Sequence, residues 1–241
     1  MCNISCEQES EKILQKQHRR SFLKLVMASA LGMGIAATGV KVKATSGQVT
    51  LPPQPENELT PEAALERLIA GNERYVAGQS TPLNFSLESD ALVRSQNPYA
   101  CILSCSDSRV SPEFCFDEQL GDLFVARVAG NYLTTDFVAT LEFATFVLHT
   151  PLIMVLGHES CGAVQAAIEA ADNNEQFPGH IQSIASALAP AVGAVDRKLE
   201  NRTDKVVKMN VIQNVQKLKK QTPILNKLVI EKKLLIVGGV Y

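Results

Sequence analysis

Five residues have types and spacings that could do chemistry together. Cys105, Asp107 and Arg109 lie in Cys105-Ser106-Asp107-Ser108-Arg109; His158 and Cys161 lie in Gly157-His158-Glu159-Ser160-Cys161-Gly162. Two thiolates and one imidazole are the ligand types that borderline-soft Zn²⁺ prefers. His158-x-x-Cys161 can chelate from a turn at the start of a helix, and Cys105 can close the site from a neighbouring strand. Three protein ligands leave a fourth tetrahedral position for water, as in a catalytic zinc site, whereas a structural zinc usually has four. Asp107 could be that fourth metal ligand, or it could accept a hydrogen bond from bound water. Arg109, two residues on, is spaced to hold the Asp107 carboxylate by a bidentate bridge. With Arg109 on the carboxylate the metal is free to take water; with Asp107 on the metal the site is closed.

The elements that must position these groups follow from periodicity. Ala100 to Leu103 is a short apolar run that ends just before Cys105, and Leu123 to Val128 is a second strand candidate. Phe137, Val138, Leu141, Phe143, Ala144 and Val147 have helical spacing over Thr135–Leu148, which Pro151 ends. Leu152 to Leu156 is a continuous buried-type strand, and helical stretches follow over Gly162–Ala171, Ile181–Ala194 and Lys205–Gln221. Leu234 to Val237 is the last strand. Upstream, Thr60-Pro61-Glu62 opens a helix with an N-cap, a proline at the first position and an acid in the first turn. That helix carries Leu65, Leu68, Ile69, Tyr75 and Val76 on one face and ends near Gly78.

Strands alternating with helices predict an α/β fold with a mainly parallel β-sheet flanked by α-helices. Such sheets bind ligands beyond the carboxyl ends of their strands. Both cysteine motifs fall there, so two distant segments converge on one sheet edge.

The first forty-odd residues read as a targeting segment. His18-Arg19-Arg20-Ser21-Phe22-Leu23-Lys24 precedes an apolar run from Leu25 to Val40, and Val42-Lys43-Ala44 suits a signal peptidase. The run contains Gly32, Gly34 and Gly39 and makes a poor spanning helix. The paired arginines resemble a twin-arginine export signal. The expectation is a leader over residues 1–44 that uses the export machinery, cleavage near Ala44 and a periplasmic or equivalent location; an uncleaved anchor is the alternative. Residues 45–59, polar and with Pro52, Pro53 and Pro55, read as a flexible linker, and 60–241 as the catalytic domain.

With 241 residues and a formal net charge of −2, the chain gives no electrostatic reason to expect nucleic acid, and it has no Trp for base stacking. Lys217, Lys219 and Lys220 read as one solvated helix face. The six cysteines form no dense disulfide framework. Cys101 and Cys115 read as core residues, with a disulfide between them as the alternative. His149 and His180 read as helix-end and loop residues.

The paired motifs are similar to the signature of the β-class carbonic anhydrases. The resemblance runs from about Leu65 to Tyr241 and includes Gly71-Asn72, Arg127 and Asn131. It implies Zn²⁺ on Cys105, His158 and Cys161, with Asp107 and Arg109 as a gating dyad, and reversible hydration of CO₂ to bicarbonate. Finer positions resemble the plant-type subgroup. There Gln96 corresponds to a glutamine that donates to substrate across a dimer interface, and Phe124 to an apolar pocket wall. Phe143 stands where a tyrosine is frequent, and Ile102 replaces a tryptophan of the bicarbonate-inhibited subgroup. A homodimer or higher homo-oligomer is implied. Family members usually continue past the segment matching Gly238-Gly239-Val240-Tyr241 into a further strand, which leaves the edge pairing open. Hydrolysis of CS₂ or COS by the same zinc chemistry, a non-catalytic zinc or assembly module, and a redox-sensing thiol protein are the alternatives.

Overall fold

The computed structural model describes residues 54–82 and 92–241, all within the unit Thr50–Tyr241. The expected leader and residues 45–53 of the expected linker lie outside the described residues, as do Cys2 and Cys6. Four strands, β1 (Ala100–Ser104), β2 (Leu123–Arg127), β3 (Leu152–Gly157) and β4 (Leu235–Val240), form one sheet in the order β2-β1-β3-β4. Every pairing is parallel. The helices are α1 (Pro61–Val76), α2 (Pro112–Cys115), α3 (Thr135–Phe146), α4 (Gly162–Asn173), α5 (Ile181–Gly193), α6 (Arg202–Gln221) and α7 (Pro223–Ile230). The expected parallel α/β architecture is the observed one.

The central strands are apolar on both faces because both faces are covered. In β1, Cys101 and Leu103 join Ile153 and Val155 of β3 in one core with Leu141 of α3, Val211 and Leu218 of α6 and Leu225 of α7. Ala100 and Ile102 point the other way, into a core with Leu68 of α1, Cys115 and Phe116. The period-two alternation of a strand thus places Cys101 and Cys115 on opposite faces of the sheet, where they are free, buried thiols. The core reading of both holds, and the alternative disulfide does not form. A third core, built by α4, α5 and the first half of α6, encloses Cys105 and Cys161.

Local signals explain most boundaries. Thr60 caps α1 by accepting a hydrogen bond from the Ala63 amide at 3.2 Å, with Pro61 at the first position. Thr134 likewise caps α3. β4 runs on through Gly238 and Gly239, past the expected end at Val237. Here α6 lies flush on the strand, and a Cβ at Gly238 would sit 2.4 Å from Val211 Cγ1. Glycine in this strand therefore marks a close approach and not a break. The α7 helix, opened by Pro223, is too short to give a clear period, and the sequence reading missed it.

The end of the stretch expected as linker is built into the domain. Pro55–Asn57 form a 3₁₀ turn, and Asn57 is buried, donating to the Asn97 carbonyl at 2.9 Å and to Asp122 at 3.1 Å. Arg67 of α1 organises this end: it pairs with Glu118 at 2.6 Å and Asp122 at 3.1 Å and stacks over the Tyr99 ring. Burial pushes the Glu118 carboxyl up, while Arg67 and the Tyr99 hydroxyl donate to it and oppose that shift. Polar residues here satisfy one another, which the proline content of the segment did not reveal.

Candidate metal centre

β1 and β3 are adjacent and parallel with Ser104 opposite Leu156, so their carboxyl ends open at the same level. Cys105 is the next residue after β1, and His158 the next after β3. The chain then turns through Ser160 in the left-handed region (φ 54°) and delivers Cys161 as the N-cap of α4. That turn folds His158 and Cys161 back toward one point. All three side chains are buried, at 4%, 2% and 1% exposure in the order Cys105, His158, Cys161.

The geometry fits a tetrahedral metal. The Cys105 and Cys161 sulfurs lie 4.0 Å apart, and two thiolates at zinc–sulfur distances would be about 3.8 Å apart. The ligand atoms of the three residues all fall within 4.8 Å of one another. His158 Nδ1 lies 2.9 Å from the Glu159 carbonyl, which accepts its proton in the tautomer that leaves Nε2 a free lone pair. Nε2 is buried and makes no hydrogen bond among the described residues, the condition of a ligand atom and a costly one for a mere core histidine. The neighbouring Cys161 sulfur, its largest influence, and the Gly130 amide bring the Cys105 thiol down to about 5. The same pairing, together with burial, pushes the Cys161 thiol up. Cys105 and Cys161 would hold a divalent cation as thiolates, with the remaining proton released.

Asp107 stands beside this triad and not in it. Its oxygens accept from Arg109 Nε at 2.9 Å, from the terminal Arg109 nitrogen at 2.8 Å and from the Arg109 amide at 3.0 Å. The Arg109 side chain, more than any other group, holds this carboxyl far below the usual carboxylate range. One oxygen remains 3.8 Å from His158 Nε2. Of the two arrangements open to Asp107, the structure has the one in which Arg109 holds the carboxylate. Arg109 also donates to the Ser160 carbonyl at 3.3 Å, which ties the two motifs together.

Arg127 does more than its position suggested. From the end of β2 it donates to the carbonyls of Cys105 (2.9 Å), Asp107 (2.7 Å) and Val110 (2.8 Å) and clamps the loop that carries both site residues. Gly130, Asn210 and Asn214, which lie behind Cys105, were missed by the sequence reading. The signal was there: Asn210 and Asn214 stand one turn apart on the face of α6 that buries Val207, Val211 and Leu218.

The substrate-site candidates are elsewhere in this chain. Gln96 lines a cavity of about 650 Å³ with Asn97, His149 and Pro151, at the amino ends of β1 and β3. The length of β1, roughly 13 Å, separates that end from Cys105. Phe124 is the register partner of Cys101 and packs on Phe143 with ring centroids 6.2 Å apart, beside edge strand β2. Phe143 is 46% exposed. His149 closes the turn after α3 with φ 59°, and His180 precedes α5 on the surface, so neither reaches the triad.

Comparison with known proteins agrees with this centre. A profile of the carbonic anhydrase family matches residues 100–241. Carbonic anhydrase 2 of Mycobacterium tuberculosis is 37% identical over 182 residues, which cover 75% of this chain and 88% of that protein. The carbonic anhydrase of Mycolicibacterium smegmatis is 38% identical over 159 residues, covering 66% and 77%. Among solved structures, the β-carbonic anhydrase CcaA superposes with a TM-score of 0.59 at 26% identity, over 74% of this chain and 83% of that one. With two thiolates and an imidazole gathered at the ends of adjacent parallel strands, the chain belongs to the β-class carbonic anhydrase family.

Proposed function

We propose that this centre carries out the reversible hydration of CO₂ to bicarbonate and a proton, with Zn²⁺ held by Cys105, His158 and Cys161. The observation that carries the reading is the buried Cys₂His triad with Asp107 drawn off it by Arg109. Bound there, zinc supplies the Lewis acidity that makes water nucleophilic at neutral pH. The chain's own groups do the positioning. Asp107, kept ionised by Arg109, can accept a hydrogen bond from the attacking water and aim its lone pair at the carbon of CO₂. Arg127 fixes the loop so that the Cys105 ligand and the Asp107 acceptor keep one mutual geometry. Burial of the three ligands excludes bulk water from all but the open side.

The same reading makes the enzyme a homo-oligomer. Gln96, Phe124 and Phe143 lie away from the metal ligands of their own chain, so a second copy must supply whichever of them touches substrate. Exposed Phe143, Phe146 and Val147 on α3 beside edge strand β2 give that copy an apolar face to cover. Gln96 and Phe124 also support a place in the plant-type subgroup. Arg19-Arg20 and the apolar run after them support export through the twin-arginine route to the periplasm or its equivalent. Lysine at both arginine positions should leave active enzyme in the cytoplasm; unchanged export of that variant refutes the leader reading.

Stopped-flow measurement of CO₂ hydration on the full chain, with metal analysis, tests the activity. The expected result is one zinc per chain and hydration well above the uncatalysed rate. One zinc per chain with only background hydration refutes it.

A further inference from the structure

The Cys105 sulfur accepts a hydrogen bond from the Gly130 amide at 3.2 Å. That amide belongs to the turn Val128–Asn131, closed by the Asn131 amide on the Val128 carbonyl at 2.9 Å. Gly130 occupies the third position of the turn with φ +84°, the geometry of a type II turn. Only glycine fits: the conformation is left-handed, and a Cβ there would meet Leu188 Cδ1 at 2.8 Å. The Gly130 N–H belongs to the Ala129–Gly130 peptide, so its aim at the sulfur depends on how firmly the turn holds Gly130.

A side chain outside the turn anchors Gly130 through its other peptide, Gly130–Asn131. Asn210 of α6, 4% exposed, donates from Nδ2 to the Gly130 carbonyl at 2.9 Å. Its amide cannot be reversed, because its Oδ1 accepts from Asn214 Nδ2, also at 2.9 Å. Asn214 Nδ2 spends its other hydrogen on the Asn210 carbonyl at 2.9 Å, and its 3.4 Å approach to the Asn131 carbonyl is the weakest of its contacts. A buried chain of hydrogen bonds therefore runs Asn214–Asn210–Gly130–Cys105.

We propose that Asn210, oriented by Asn214, is a positioning residue for the metal centre: it anchors Gly130 through the Gly130–Asn131 peptide and so holds the turn in the place from which the Gly130 N–H reaches the Cys105 ligand sulfur. The proposal rests on the reading of Cys105 as a zinc ligand. An N–H on a thiolate withdraws electron density from sulfur, so the metal remains more Lewis acidic than two unmodified thiolates would leave it. Partners of this kind affect metal affinity by about 10- to 100-fold. A role in merely tying α6 to the loop would change stability alone.

Cobalt(II) in place of zinc reports on the sulfur directly through its thiolate-to-metal charge-transfer absorption. Asn210→Ala should move that absorption to lower energy and weaken zinc binding, read by chelator competition, about 10- to 100-fold. Asn214→Ala, which removes only the orienting partner, should move both in the same direction by less. Leu225→Ala, in a fully buried but remote position on α7, controls for lost stability and should leave both unchanged. Wild-type absorption and affinity in Asn210→Ala overturn the proposal. If that variant does not fold, Asn214→Ala decides: a shift supports the proposal, and no shift overturns it. A wild type that binds cobalt through thiolate but does not hydrate CO₂ overturns the enzymatic reading instead and leaves the positioning role standing on the same spectrum. A wild type with no thiolate absorption overturns both.

Discussion

Replacing Arg127 by methionine keeps most of the aliphatic stem and removes three hydrogen bonds to the carbonyls of Cys105, Asp107 and Val110. Hydrogen bonds from a charged donor contribute about 1.5–3 kcal/mol each when sheltered. Arg127 is exposed on one side, where water competes for the guanidinium, so about 1 kcal/mol per bond is the better figure. Three such bonds give about 3 kcal/mol, equivalent to roughly a hundredfold change in an equilibrium or a rate. Because all three acceptors lie in the segment that carries Cys105 and Asp107, the loss should appear at the site before it appears in global unfolding. Zinc affinity by chelator competition and kcat/KM for CO₂ hydration by stopped flow should together fall by about that factor. The sheet's backbone pairings and the helices' own hydrogen bonds do not use the Arg127 side chain, so far-ultraviolet circular dichroism should be unchanged. Lysine at the same position cannot span three carbonyls and should restore little. Near-wild-type zinc affinity and kcat/KM in Arg127→Met would refute the clamp argument.

Arg67→Met leaves buried Glu118 and Asp122 without their cation and should cost about 3 kcal/mol, or roughly 6–12 °C in Tm. Glu118 already has a raised pKa, and losing Arg67 raises it further. A raised folded-state pKa gives stability that is complete below the ordinary glutamate value and lost as pH rises through the folded one. The Tm deficit of Arg67→Met should therefore be smaller near pH 4.5 than at pH 8, and a deficit that grew on acidification would refute the assignment. Gly238→Ala drives a Cβ against Val211 Cγ1 and should destabilise by about 1–3 kcal/mol in thermal melts; no destabilisation would mean that α6 can move off β4. Gln96→Ala should lower hydration while keeping one zinc per chain. Mixed oligomers of Gln96→Ala and Cys105→Ser chains should be more active per zinc than either parent, and failure of this complementation would remove the cross-subunit role.

The sequence by itself determined the ligand set and the place of the site. Cys105 and His158-x-x-Cys161 are the right chemical types, and the apolar runs before them are strands because both of their faces need cover. Parallel strands then bring the two motifs to one edge, since the connection between adjacent parallel strands returns the chain to the same end of the sheet. Thr60-Pro61 sets a helix start through a bond that spans three residues, which is why it was legible. Partners distant in sequence were not. That Arg127 reaches three carbonyls, and that Asn210 holds the Gly130 carbonyl across eighty residues, both depend on how loops and helices pack against the sheet. The same packing put Cys101 and Cys115 on opposite faces, turned the end of the supposed linker into a buried polar anchor, and carried β4 through two glycines. Each of these was decided by a neighbour that local periodicity does not encode.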